Sequence, residues 1–370
     1  MISRRARFLF VPFLLAGAAA QTAPLPKHPP LPVGAVTAGR DMTTARAGHT
    51  ATMLPDFRVL IVGGRDSHGL ILATTETYDP TTEKFTKGAR MSVPREGHIA
   101  AILEDTKILI AGGMTRGGVA TASSEDYDYE TGKFTVRGSM HARRVRPTAT
   151  TLRDGKILVT GGEDGNLPLD SAETYDVLTG KWTLVGKMTT PRANHSATML
   201  GDGRVLIAGG TSLHHAVLAS AEIFDPKTGK FTATSGLHDA RFSHTSTLLS
   251  NGKVLIAGGA SGVGANNLLA SAEIYDPQAG AFMPTGKLNE ARCKLPDATL
   301  LLDGRVLIIG GAASAEIYDH RTGLFRTVSG TLDGPRFFPS NIQLMDGSTR
   351  IFGGSDIKGL STGKSWIYRP

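Results

Sequence analysis

A pair of adjacent glycines behind a short apolar run recurs seven times along the chain, at Gly63-Gly64, Gly112-Gly113, Gly161-Gly162, Gly209-Gly210, Gly258-Gly259, Gly310-Gly311 and Gly353-Gly354. The doublets stand 49, 49, 48, 49, 52 and 43 residues apart. A fixed period of this length marks a repeat architecture. It overrides the roughly two or three domains that chain length alone suggests.

Each unit carries four short segments of strand character separated by turn residues. In the fourth unit these are residues 195–200, 204–208, 221–225 and 230–232, with Asp202-Gly203 read as a two-residue turn of the I′ type. A sheet of four short strands cannot bury its own faces, and radial packing against neighbouring sheets removes the difficulty. Aromatic pairs seven residues apart recur in the third and fourth strands, among them Tyr78 and Phe85, Tyr175 and Trp182, and Tyr318 and Phe325. These rings suit packing between sheets. The seventh unit reaches Tyr368 without a fourth strand. In units one to five a fourth-strand aromatic precedes a Met or Leu by six residues, and Val36 precedes Met42 by the same six. The chain near Val36 and Thr37 is therefore expected to complete the last sheet and close the ring. The fold class is all-β, a seven-bladed propeller over residues 34–370.

Glycine doublets followed by a Tyr and, seven residues later, a Trp or Phe resemble the kelch repeat. The form Arg-x-x-His-x-x-Thr-x-Leu, Asp-Gly-Arg-Val-Leu-Ile-x-Gly-Gly, Ala-Glu-Ile-Tyr-Asp-Pro is most similar to bacterial kelch proteins and to the propeller domain of galactose oxidase. Phe replaces Trp in every unit that has the pair except the third, with Trp182. Gly63, Gly64, Gly209, Gly210, Tyr175 and Trp182 are accordingly read as scaffold.

The first residues are basic, 8–17 are apolar, and Ala18-Ala19-Ala20 offers a cleavage site, so 1–20 is read as a signal peptide. Its apolar run falls short of the roughly 18 residues that span a bilayer. Residues 21–33 hold Pro24, Pro26, Pro29, Pro30 and Pro32 and read as an extended spacer. A secreted or periplasmic protein is expected. The formal charge of +7 falls to +4 without Arg4, Arg5 and Arg7, and its cations are interspersed with acids. That distribution excludes a nucleic-acid-binding stripe. Cys293 is the one cysteine, so no intrachain disulfide is possible.

An Arg introduces every first strand (Arg46, Arg95, Arg144, Arg192, Arg241, Arg292, Arg336), and a Glu opens six third strands (Glu76, Glu125, Glu173, Glu222, Glu273, Glu316). Repetition in every blade favours a structural pair, against a ring of guanidinium groups facing an anion. His49, His98, His195 and His244 follow the Arg by three residues in four units and are read as packing histidines rather than metal ligands. Strand alternation puts the variable loops between second and third strands on one face, with the approaches to the first strands. That face is expected to bind. From Gly-Gly to Glu those loops hold 11, 11, 10, 11, 13 and 4 residues, and the short sixth points to a cleft beside blade six. Candidate ligand residues are Cys293, Lys294 and Asp297 of that blade, Arg336, Phe337 and Phe338 beside it, and Arg143 and Arg146 of blade three. Cys293 has no evident base and is read as a buried thiol.

The resemblance to galactose oxidase implies a copper-radical site built on tyrosines. Six of the seven tyrosines occupy the repeated blade slot, and Tyr129 falls in a turn on the opposite face, so none is available for it. No cofactor or metal is expected. The leading expectation is an exported, non-catalytic, monomeric propeller that binds a glycan, peptide or partner protein, possibly an anionic one. The alternative, by resemblance to a sialic-acid epimerase on a kelch propeller, is a carbohydrate isomerase or lyase at the same channel mouth.

Overall fold

The computed structural model describes residues 34–103, 107–165, 167–262, 267–293 and 297–370. The signal peptide and spacer read at 1–20 and 21–33, and Lys294, lie outside the described residues. No described helix is long and apolar enough to cross a membrane.

The described residues form seven antiparallel sheets of four strands each. Blade four consists of Ser196–Met199, Val205–Ala208, Ala221–Asp225 and Lys230–Ala233. Its first hairpin differs from the expected two-residue turn. The N–H of Leu200 donates to the carbonyl of Arg204 at 2.7 Å, and the N–H of Gly203 donates to the carbonyl of Leu200 at 2.9 Å. Gly203 alone has a left-handed φ, at 91°. The turn therefore spans three residues and ends in a glycine bulge, because Asp202 keeps an ordinary φ that an I′ turn would forbid.

The innermost strands of adjacent blades touch all the way round, blade seven meeting blade one, which closes the propeller. Blade seven is Ser340–Gln343, Thr349–Phe352 and Ser365–Arg369, and its outer place is taken by Ala35–Ala38. Val36 stands opposite Tyr368 and Thr37 opposite Ile367. The core lies between blades rather than at one centre. One cluster joins Leu344 and Phe352 of blade seven to Val59, Ile61 and Tyr78 of blade one. The paired aromatics are cross-strand neighbours, their ring centroids 4.7 to 5.0 Å apart in the six blades that carry them.

Six arginines form buried ion pairs with the glutamate of their own blade, at 2.6 to 3.0 Å. The same guanidinium donates to the carbonyl of the first glycine of its doublet, as Arg192 does to Gly209 at 2.8 Å. These six arginines and their glutamates are fully buried against their own blade, which makes them scaffold. Burial lowers the pKa of Arg192, and the Glu222 carboxylate beside it works the other way. Removing one partner strands the other charge. Glu222→Ala is therefore expected to cost about 3–5 kcal/mol, and Asp56→Ala, whose pair with Arg58 is partly exposed, less than about 1 kcal/mol. Urea unfolding of both variants measures this, and similar small losses would show that the buried pair does not hold the blade.

Candidate functional site

Two residues beyond six of the seven buried arginines the chain takes one and the same conformation. Gly48, Gly97, Arg146, Asn194, Ser243 and Phe338 have φ of 66°, 60°, 50°, 53°, 52° and 56°. The left-handed region suits glycine and costs an ordinary L residue roughly 1–2 kcal/mol. The backbone at this position is bonded from blade to blade. Gly48 donates its N–H to the carbonyl of Phe338 at 3.1 Å, Gly97 to Gly48 at 3.0 Å, Arg146 to Gly97 at 2.8 Å and Ser243 to Asn194 at 2.9 Å. These bonds link blades seven, one, two and three, and blades four and five, on the face that carries the variable loops.

A cavity of about 210 Å³ opens beside these positions. Gly48, Gly97, Arg146, Asn194 and Phe338 line it at the ring position, with His49, His98 and His195 behind them. The Arg146 guanidinium lies 5.0 Å from the centroid of the Phe338 ring, so blades three and seven meet across the opening. Arg146 forms no ion pair among the described residues. The other charged groups of the lining are Arg65 and Glu96, which pair at 3.5 Å. Among the described residues the lining thus presents one uncompensated positive charge, beside the Phe338 ring.

The histidines bridge blades. Nε2 lies 2.7 Å from Ser340 Oγ for His49, 3.1 Å from Thr50 Oγ1 for His98, 3.1 Å from Thr148 Oγ1 for His195 and 2.9 Å from Ser196 Oγ for His244. Burial is the main cause that pushes His49, His98 and His244 down to about 3, and it holds His195 well below the usual histidine value. They are neutral links in the wall. Among the described residues no group of three or more His, Cys, Asp or Glu is placed to hold a metal ion.

Of the predicted site residues, Arg146 and Phe338 come together at the cavity. The others do not join them. Arg336 is turned inward: its guanidinium donates to the carbonyls of Leu332 and Asp333 at 3.2 and 3.3 Å and lies 5.5 Å from the Trp366 ring centroid. Trp366 stands opposite Ile351, as Glu76 stands opposite Ile61, so the ring replaces the missing carboxylate of blade seven. Arg336 is therefore corrected from ligand residue to scaffold. Phe337 is half-buried, with its backbone paired to Ser355. Arg143 is exposed and does not line the cavity. Cys293 is buried. Asp297 opens the innermost strand of blade six, where it accepts the N–H of Ala298 at 2.9 Å and of Asn341 at 3.0 Å, and burial pushes its carboxyl up to about 6. The expected cleft beside blade six gives way to a mouth walled by blades one to four and seven. Sequence reasoning passed over Gly48, Gly97 and Asn194, although glycine and asparagine at one offset from a repeated arginine are a left-handed signal.

A family model described as the Attractin/LZTR1 β-propeller matches residues 35–269. Alpha-scruin of Limulus polyphemus is 48% identical over 46 residues, which are 12% of this chain and 5% of that protein. The fold is similar to a solved fungal alcohol oxidase of the AA5 family in complex with copper, with a TM-score of 0.74 at 18% identity, over 91% of this chain and 76% of that one. At that identity the likeness concerns the fold.

The neutral histidines make stability depend on pH. Their folded pKa values lie below the unfolded value of about 6.5, so the unfolded chain binds more protons between about pH 6.5 and 3. Stability is complete above that window and falls as the pH drops through it. Asp297, with its raised pKa, acts in the opposite sense between about pH 4 and 6. His98→Gln, which can keep a hydrogen bond to Thr50, is expected to flatten the dependence by up to about 1.4 kcal/mol per pH unit. Denaturant unfolding between about pH 4 and 6.5 reads the slope, and an unchanged slope would remove His98 from the account.

Proposed function

Since the chain belongs to the Attractin/LZTR1 β-propeller family, we propose that it is an exported, non-catalytic kelch propeller that holds an extracytoplasmic glycan, peptide or protein partner at the channel mouth on the face of the variable loops. Kelch propellers are commonly protein-interaction scaffolds. The observation that carries the reading is Arg146, a half-buried cation without a carboxylate partner among the described residues, set against Phe338 in a cavity of about 210 Å³. A guanidinium stacked on an aromatic ring keeps its N–H edge for a carboxylate or sulfate.

Acid–base chemistry on a sugar needs a group at the mouth that can take and return a proton. Glu96 is paired with Arg65, and His49, His98 and His195 each bond a hydroxyl through Nε2 and are held neutral by burial. This supports binding over isomerase or lyase chemistry. Six tyrosines sit in third strands, and Tyr129 sits in the turn after one, away from the mouth. That placement supports the same reading over copper-radical oxidation.

Thermal-shift screening of the protein against acidic and neutral oligosaccharides and acidic peptides tests the proposal. A binder is expected to raise the midpoint in the parent, to lose at least about tenfold in affinity in Arg146→Ala, and to be unaffected by Arg143→Ala, which lies outside the cavity. A binder that responds to Arg143 and not to Arg146 would move the site off the mouth.

A further inference from the structure

We propose that one repeat position, two residues beyond the buried arginines of blades one to five and seven, is where this chain sets its choice of ligand, and that the ligand it reads carries a single carboxylate. The inference rests on the reading of the mouth as a binding site. At this position the fold asks for a backbone conformation and for nothing else. The blade-to-blade hydrogen bonds are made by main-chain atoms, and blades one and two meet the requirement with Gly48 and Gly97. Blades three, four, five and seven keep Arg146, Asn194, Ser243 and Phe338 in a conformation that L side chains rarely adopt. Strain retained at equivalent places around one opening marks residues kept for what they touch rather than for what they support.

The residues divide the work of recognition. An added Cβ on Gly48 would meet nothing nearer than 3.8 Å, so the missing side chain leaves room for the body of a ligand. At Gly97 a Cβ would come within 3.0 Å of Arg146 Cγ, so a larger residue there would displace the guanidinium. Among the described residues of the lining Arg146 supplies the one unbalanced charge, which suits one carboxylate better than a phosphate dianion. Asn194 can donate and accept beside it, and Phe338 gives a flat apolar wall. An acidic side chain of a protein and an acidic sugar share this chemistry.

Three variants of the full chain test the proposal: Arg146→Gly, Asn194→Gly, and the exchange Arg146→Asn with Asn194→Arg. Probes are the terminally blocked peptide N-acetyl-Gly-Glu-Gly-amide and N-acetylneuraminic acid, each with its uncharged counterpart, N-acetyl-Gly-Gln-Gly-amide and N-acetylmannosamine. The two glycine variants are expected to melt within about 2 °C of the parent or above it. One acidic probe is expected to bind the parent, to lose at least about tenfold with Arg146→Gly and with the exchange, and the acidic probe that binds identifies the source. A fall of more than about 5 °C in a glycine variant would show that these side chains hold the fold, and would overturn the proposal. So would an exchange variant that binds like the parent. Binding of an uncharged probe, indifferent to Arg146, would overturn the carboxylate while leaving the mouth as a binding site. Failure of all four probes to bind the parent would remove both.

Discussion

The buried arginine that precedes each innermost strand is the node on which the propeller depends. Its guanidinium faces its own blade, reaching the glutamate and the carbonyl of the first doublet glycine, as Arg46 does with Glu76 and Gly63. Its own carbonyl faces the preceding blade and accepts the N–H of that blade's second glycine. Gly64 donates to Arg95, Gly113 to Arg144, Gly162 to Arg192 and so on to Gly354, which donates to Arg46, at 2.7 to 3.1 Å throughout. One residue thus orders a blade and docks it on its neighbour. The glycine doublet follows from the same contact. A Cβ on Gly209 would lie 2.4 Å from the Arg241 carbonyl oxygen, and one on Gly210 would lie 2.7 Å from that of Ala193. No side chain fits at either place. Taking these charges out of water is costly, and the pair itself need not add net stability. Its consequence is register: each of the six paired arginines is satisfied by one glutamate and two carbonyls of its own blade, so each strand has one place to sit.

Blade seven shows which half of the node is indispensable. It has no glutamate, yet Gly311 still donates to the Arg336 carbonyl at 2.7 Å, and Trp366 covers the guanidinium. The carboxylate is replaceable by an aromatic face and two backbone carbonyls. The inter-blade backbone bond is kept in all seven places. That bond also joins blade seven to blade one directly, independently of the outer strand Ala35–Ala38, so two separate devices close the ring.

What recurs in a sequence is legible in it, and what occurs once is not. The doublets, the Arg–Glu pairs, the aromatic pairs and the six-residue offset of Val36 from Met42 repeat, and each repetition is a separate confirmation of the same physical need. The cavity is different in kind. Arg146 and Phe338 lie far apart in the chain and meet because the ring brings blade three to face blade seven. No local pattern carries that meeting. Of the residues that depart from the repeat, Arg146 and Phe338 line the cavity whereas Cys293 is buried, because a unique residue can equally belong to the scaffold. Burial separates the two cases, and burial is a property of the closed ring rather than of the unit.

The same separation explains how one architecture can leave its mouth free to vary. The bonds that dock one blade on the next near the channel are made by backbone atoms and by buried histidines that reach a hydroxyl of the preceding blade. A side chain two residues beyond the arginine therefore has no structural duty, and its conformation is imposed by bonds it does not make. Such a position tolerates glycine, asparagine, arginine or phenylalanine at a cost of roughly 1–2 kcal/mol for the bulkier ones. A propeller of seven sheets, each touching its neighbours over a dry apolar cluster, can carry a few such costs without losing its shape. The strain at Arg146 and Phe338 is in this sense evidence about the scaffold as well as the site: only a ring held by its main chain can keep two such residues facing each other across an opening.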